Sequence, residues 1–355
     1  MKKHSVTDQL LANLGLPAVL PEGFTAADWP SRREELVDIM LKEVYGYPPE
    51  KPLAMHAKSE GVTYTFCAGN ATLETVKLTV TIPEGEYTFP FKAAIPAGEG
   101  PFPFFVLINF RPDVPDRYLP VEEICDRGYA VLSLYFNDIA FDGEDHFEGG
   151  LAGMLPKEGR CGKIGLWAWA ASRVLDWALD DPRLDGERAA VIGHSRLGKT
   201  ALVAGALDTR FSTVISNDSG CSGAAITRNK AGERIETITR VFPYWFNESY
   251  PQYTDKERLM PFDQHFLLAA VAPRNLLVGS AEQDLWADPD SEYLGCCAVS
   301  HVWEALGETG FVHPDRLPNP GDTFHEGKIG YHLRHGAHYL SREDWNRYMD
   351  FLDKK

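Results

Sequence analysis

The sequence predicts an α/β fold: a doubly wound, mostly parallel sheet in a three-layer sandwich, led by an N-terminal antiparallel strand pair. Three observations carry this. The apolar runs Phe104–Phe110 and Tyr129–Leu134 are too short for helices and rich in β-formers, as strands buried on both faces of a parallel sheet are. Further short apolar runs alternate with helix-patterned stretches from residue 167 onward. Between about 60 and 95, apolar and polar residues alternate instead, which marks half-buried antiparallel strands.

Taken in order, residues 25–46 read as a helix, with Asp28 as cap, Pro30 in the first turn, and Leu36, Ile39, Met40 and Val44 at helical spacing. Gly46 and Pro48-Pro49 end it. Leu78–Ile82 and Tyr87–Phe89 alternate on either side of Pro83-Glu84-Gly85-Glu86, a hairpin signal. After the two apolar runs, Trp167–Leu179 carries a stripe at 167, 171, 174, 175 and 178, and Ala189–Ile192 begins the next strand. Thr213–Ser216, Asn275–Gly279 and a run near Lys328–Leu333 complete the strands, and a closing helix starts at about Ser341. Residues 1–60 are expected to form a helical extension packed on a single catalytic domain, 61–355. Such a sheet places its site at the carboxyl ends of its strands.

Composition narrows the partners. A net charge of −16 argues against nucleic acid and anionic membrane surfaces, both of which need a basic face. No apolar stretch approaches the length of a membrane span, and the N-terminus lacks a signal-peptide core, so the chain as given is expected in the cytoplasm, with secretion open to a longer precursor. Six cysteines show neither metal-ligand spacing nor the density of a disulfide scaffold, and are expected as thiols. No cofactor or metal is implied, and the oligomeric state is left open.

The chemistry centres on Val191-Ile192-Gly193-His194-Ser195-Arg196-Leu197-Gly198-Lys199, where a strand ends in glycine, turns through serine and opens into a helix. A sharp turn of this kind lifts a nucleophilic hydroxyl above the sheet edge and aims helix N–H groups at a forming oxyanion. The common pattern is G-x-S-x-G; here the second glycine comes one position late, at Gly198. A serine needs a base, and His338, on a glycine-marked loop after the last strand, stands where the base belongs in the α/β-hydrolase order of Ser, acid, His. His335 and His332 are its nearest competitors. Two residues just past strands qualify as the acid, Asp218 and Asp284, and the residues alone do not rank them.

His194–Lys199, with Asn217-Asp218-Ser219-Gly220, Leu259–His265, Ala272-Pro273-Arg274 and Asp284-Leu285-Trp286, resembles the bacterial glucuronoyl esterases of carbohydrate esterase family fifteen. The resemblance runs from about Trp167 to the end of the chain. It implies Ser195 as nucleophile, His338 as general base, the acid at Asp218 or Asp284, and Arg196 as an oxyanion donor through its side chain. A cation in a helix's first turn opposes the dipole, so something else must favour Arg196 there. The resemblance also sets Lys199 against sugar hydroxyls. Trp286 and Trp245 could offer aromatic faces to a sugar ring. Gln264, counted with the substrate-binding residues, braces the site with His265.

The function implied is hydrolysis of glucuronic acid esters, the 4-O-methyl-glucuronoyl side groups of xylan or their oligosaccharides, through an acyl-enzyme on Ser195. An acetyl-sugar esterase or other carboxylesterase is the alternative within the same chemistry, and a catalytically silent carbohydrate-binding protein the alternative outside it. A metal hydrolase built on His325, His332, His335 and His338 is a remoter reading, because strand alternation sends 332 and 335 to opposite faces.

Overall fold

The computed structural model describes residues 5–355. The leading antiparallel element is larger than the predicted pair: β1 (Ala54–Phe66), β2 (Ala71–Ile82) and β3 (Gly85–Pro96) form a meander, with Pro83-Glu84 turning β2 into β3. Most residues of β1 are exposed, so it carries no alternating signal, and residue 60 lies inside it. The parallel strands are β4 (Phe102–Asn109), β5 (Ala130–Tyr135), β6 (Leu184–His194), β7 (Thr213–Asn217), β8 (Asn275–Ala281) and, after the short β9 (Thr323–Phe324), β10 (Ile329–Arg334). The sheet order is β1-β2-β3-β5-β4-β6-β7-β8-β10-β9.

The helices are α1 (Val6–Leu14), α2 (Trp29–Met40), α3 (Val121–Asp126), α4 (Lys163–Asp180), α5 (Arg196–Leu207), α6 (Ile235–Val241), α7 (His265–Ala269), α8 (Pro289–Ala305) and α9 (Arg342–Leu352). Asp28 does not cap α2; its carboxylate accepts from Thr25 in a box at the preceding single turn. None of the helices among the described residues is long and apolar enough to cross a membrane.

Strand alternation builds the three layers. Phe104, Val106 and Ile108 of β4 join a core with α2, α4, α5 and α8, while Phe105 and Leu107 join a second core with α3 and α9. Both faces are therefore covered, as the continuous apolar runs require. Chain order reverses between β4 and β6, and the crevice outside their carboxyl ends is where such a sheet binds ligands.

Close packing fixes the turn after β6. Ser195 has φ +58° and ψ −127°, an uncommon backbone for a residue with a side chain, and its N–H donates to Asn217 O at 2.8 Å. A Cβ on Gly193 would lie 2.0 Å from Leu197 O, and one on Gly198 would lie 3.0 Å from Ser219 Cβ and 3.1 Å from Asn217 O. The late glycine is thus where α5 passes closest to the end of β7. Leu197, at the usual glycine position, turns into the core. Gly193→Ala is expected to cost about 1–3 kcal/mol of stability or more by overpacking against backbone, read as a lowered melting midpoint. An unchanged midpoint would show that the turn relaxes freely.

Candidate active site

The predicted nucleophile, acids and base all sit at carboxyl strand ends: Ser195 after β6, Asp218 after β7, Asp284 after β8 and His338 after β10. Ser195, Arg196, His194 and His338 line one pocket of about 350 Å³ with Phe110, Arg111, Arg117 and Tyr118. The His338 ring packs on His194 with centroids 4.4 Å apart. His194 is fixed from below, its Nδ1 lying 2.7 Å from Asn217 Oδ1, and burial, followed by the nearby His338, pushes it down to about 3, so it stays neutral.

The structure separates the two acids. Asp284 Oδ2 lies 2.6 Å from His338 Nδ1, and Asp284 Oδ1 accepts from Ala287 N at 3.2 Å. Burial alone would raise the Asp284 carboxyl; its hydrogen bond and charge pairing with His338 overcome that and hold it below the ordinary value. Asp218 is hydrogen-bonded elsewhere, accepting from Arg334 Nη2 at 3.2 Å and Tyr339 N at 3.3 Å. Burial first, then the carboxylates of Glu292 and Asp344, push it well above its usual value despite Arg334. Ligating atoms of Asp218, Asp284 and His338 nonetheless lie within 4.8 Å of one another, so Asp218 stands directly behind the pair.

Arg334, at the end of β10, shapes the loop that carries His338. Its guanidinium donates to Asp344 (2.8 Å), to Asp218, and to the carbonyls of His335 (3.0 Å), Ala337 (2.9 Å) and Tyr339. Asp344 also pairs with His332 Nε2 at 2.8 Å and closes the capping box with Ser341 at the start of α9. The histidine metal set does not form: His332 is held by Asp344, His335 is exposed against Glu282, and His338 is taken by Asp284.

Arg196 owes its place to its neighbours. It pairs with Asp142 and lies over Trp245, 4.7 Å from the ring centre, with Phe242 at 5.4 Å and Phe110 at 5.6 Å. Trp245 is buried, stacked on Phe242, and donates its indole N–H to Asp142 at 2.7 Å, so it supports Arg196 instead of offering a free face. Trp286, next to Asp284 but one, is 56% exposed and is not among the residues lining the pocket beside Ser195. Lys199 is buried, its ammonium giving a hydrogen bond to Ser219 O at 2.5 Å. Gln264 is a correction: it has no exposed surface, and its Oε1 accepts from Tyr45 in the core, because the apolar segment that follows carries it inward.

Sequence reasoning missed Asp142, Lys163, Arg334 and Glu292. Lys163 had a usable signal, since it is a cation in the first turn of α4 and opposes the dipole as Arg196 does. The acids and Arg334 carried none, because their roles arise from contacts distant in sequence.

With this geometry in place, comparison with known proteins decides the family. Residues 78–307 match the family model for glucuronyl esterases, described for fungi. The chain belongs to the glucuronyl esterase family. It is 41% identical over 239 residues to a carbohydrate esterase from an unknown prokaryotic organism, covering 66% of this chain and 55% of that protein. It is 30% identical over 298 residues to the 4-O-methyl-glucuronoyl methylesterase of Podospora anserina, covering 79% and 57%. The chain therefore spans little more than half the length of these relatives. Among solved structures, the glucuronoyl esterase of Solibacter usitatus superposes with TM-score 0.87 at 32% identity, covering 95% of this chain and 97% of that one. That of Teredinibacter turnerae gives 0.87 at 27%, covering 97% and 90%. These glucuronyl esterase relatives also bear out the α/β-hydrolase fold and the bacterial-type resemblance.

Two outcomes follow. Asp284→Asn is expected to cut kcat on an ester substrate by roughly 10³–10⁴-fold, as loss of a histidine-orienting carboxylate does, and Asp218→Asn by much less; an equal loss for both would contradict the assignment. Burial would raise Asp344, but its hydrogen bond with His332, the ring's charge and Arg334 bring it from 3.8 down to about 2. A depressed carboxyl stabilises the fold above its unfolded value and loses that contribution on protonation, so urea midpoints should fall as pH drops from 3.8 to about 2, and Asp344→Asn should flatten that fall.

Proposed function

We propose that this protein is a serine esterase that hydrolyses esters of glucuronic acid, with 4-O-methyl-glucuronoyl groups of xylan or its oligosaccharides as the substrate class. The observation that carries the reading is the 2.6 Å contact between Asp284 and His338 beside a left-handed Ser195, in a chain of this family. With Asp284 accepting from Nδ1–H, the His338 Nε2 lone pair is free to take the Ser195 proton. Serine Oγ then bonds to the uronoyl carbonyl carbon, and the carbonyl oxygen becomes an oxyanion.

The N–H groups opening α5 and the Arg196 side chain are the donors for that oxyanion. Collapse breaks the ester C–O bond, and His338 returns the proton to the departing alcohol. Water, deprotonated by the same ring, then attacks the acyl-enzyme, releasing the uronic acid and restoring Ser195. Trp286, two residues after Asp284 and exposed, is the aromatic face proposed for packing against a sugar ring.

The wild-type enzyme is expected to turn over methyl and benzyl glucuronate faster than acetylated sugars, and Ser195→Ala to abolish both activities. Negligible rates on both glucuronate esters with ready deacetylation would replace this reading with an acetyl-sugar esterase. A fluorophosphonate that leaves Ser195 unlabelled would replace it with a carbohydrate-binding protein.

A further inference from the structure

Asp142 lies in the loop between β5 and α4, more than fifty residues before the serine turn, and both of its carboxylate oxygens are committed. Oδ2 accepts from Arg196 Nη1, and Oδ1 accepts from Trp245 Nε1 at 2.7 Å. Its own N–H donates to Asn137 Oδ1 at 2.8 Å. On either side of it, the carbonyls of Phe141 and Gly143 accept from the fully buried Lys163 ammonium at 2.8 and 2.7 Å, and Lys163 also pairs with Asp145 at 2.6 Å. The carboxylate is therefore built in from its backbone outward.

Arg196 is held by this arrangement and stays partly open where it lines the pocket beside Ser195. Phe110 and the Phe242–Trp245 stack enclose its guanidinium, and Asp142 takes Nη1, while Nε is buried without a partner. A free arginine side chain has many rotamers and loses them at a cost when it meets an oxyanion. Here that ordering is complete before substrate arrives, and the donors not bound to Asp142 keep a fixed direction.

We infer that Asp142 is a positioning residue of the esterase site, acting through Arg196: with Trp245 it locks the guanidinium in the attitude from which it donates to the oxyanion. The inference rests on the proposed reading only for the role of Arg196. It also accounts for a cation standing in the first turn of α5 against the dipole, since a carboxylate from another loop neutralises it. Because the lock is formed without substrate, its loss falls on kcat, where the oxyanion exists, and not on KM.

The test is the second-order rate at which a fluorophosphonate labels Ser195, followed by intact mass. This probe carries no sugar, so it reads the serine, base and oxyanion donors apart from the glucuronate specificity. Asp142→Asn, which keeps the side-chain shape, is expected to slow labelling by about tenfold to a hundredfold beside native Arg196. In an Arg196→Ala background it should change the rate by less than about twofold. Trp245→Phe, which removes the N–H together with part of the ring that packs on Arg196, should slow labelling in the same direction and likewise only when Arg196 is present. On a glucuronate ester, kcat should fall with KM unchanged. Equal slowing in both backgrounds, or none beside Arg196, overturns the inference. Failure of the wild type on glucuronate esters with normal labelling overturns only the substrate class.

Discussion

The buried guanidinium of Arg334 is the constraint on which the catalytic face depends. It sits at the end of β10 among two carboxylates and the carbonyls of the turn that follows, and no water-exposed surface compensates it. A buried cation is tolerable only if it is paired and its donors are used, and removing one partner of such a pair costs about 3–5 kcal/mol. The turn from His335 to Tyr339 is therefore folded around the cation. That folding delivers His338 to Asp284 on one side and to the serine turn on the other.

Lys163 plays the matching part on the opposite flank. Its ammonium gathers the carbonyls around Asp142 as Arg334 gathers those around His338. Each loop is thus tied down by one buried cation, Arg334 from the end of β10 and Lys163 from the first turn of α4. The cations are buried although the loops they gather are exposed or half-buried, so their donors are satisfied by carbonyls and carboxylates of those loops. Both loops also carry their own turn chemistry, Gly336 with φ +98° in one and the Asp145 carboxylate accepting from Phe147 N in the other, and the buried cations add the long-range ties that sequence does not show.

The same distinction decides what could be read from the chain. The parallel strands were legible because burial on both faces leaves an unbroken apolar run, and the serine turn because its glycines stand where backbone passes too close for a Cβ, Gly193 against Leu197 and Gly198 against the end of β7. β1 was not, since His56-Ala57-Lys58-Ser59-Glu60-Gly61 lie exposed and the half-buried Met55, Val62 and Phe66 around them obey no period. Asp218 and Asp284 look alike in sequence, each an aspartate just past a strand. They differ only through what faces them: a histidine ring for Asp284, an arginine and further carboxylates for Asp218. Gln264 and Lys199 were placed by motif, and motif does not record that both side chains point into the protein.

Charge shows how a global number can mislead at a site. The chain carries −16, yet the pocket around Ser195 is lined by Arg111, Arg117 and Arg196, with no carboxylate among its described lining residues. Surface charges more than about 8 Å away are largely screened at physiological salt, so the field felt by a reacting carbonyl is set by these near groups. In the proposed reaction, a uronate ester is neutral as it enters and gains negative charge only as the tetrahedral intermediate forms. In that reaction the guanidinium groups lining the pocket, of which Arg196 is fixed by Asp142, favour the intermediate over the bound ester, which is the condition for accelerating the step instead of merely tightening binding. Asp142 tempers the nearest of them: by balancing the Arg196 charge it weakens the pull on any anion at long range while leaving directed N–H donors for an oxygen that arrives within hydrogen-bond reach.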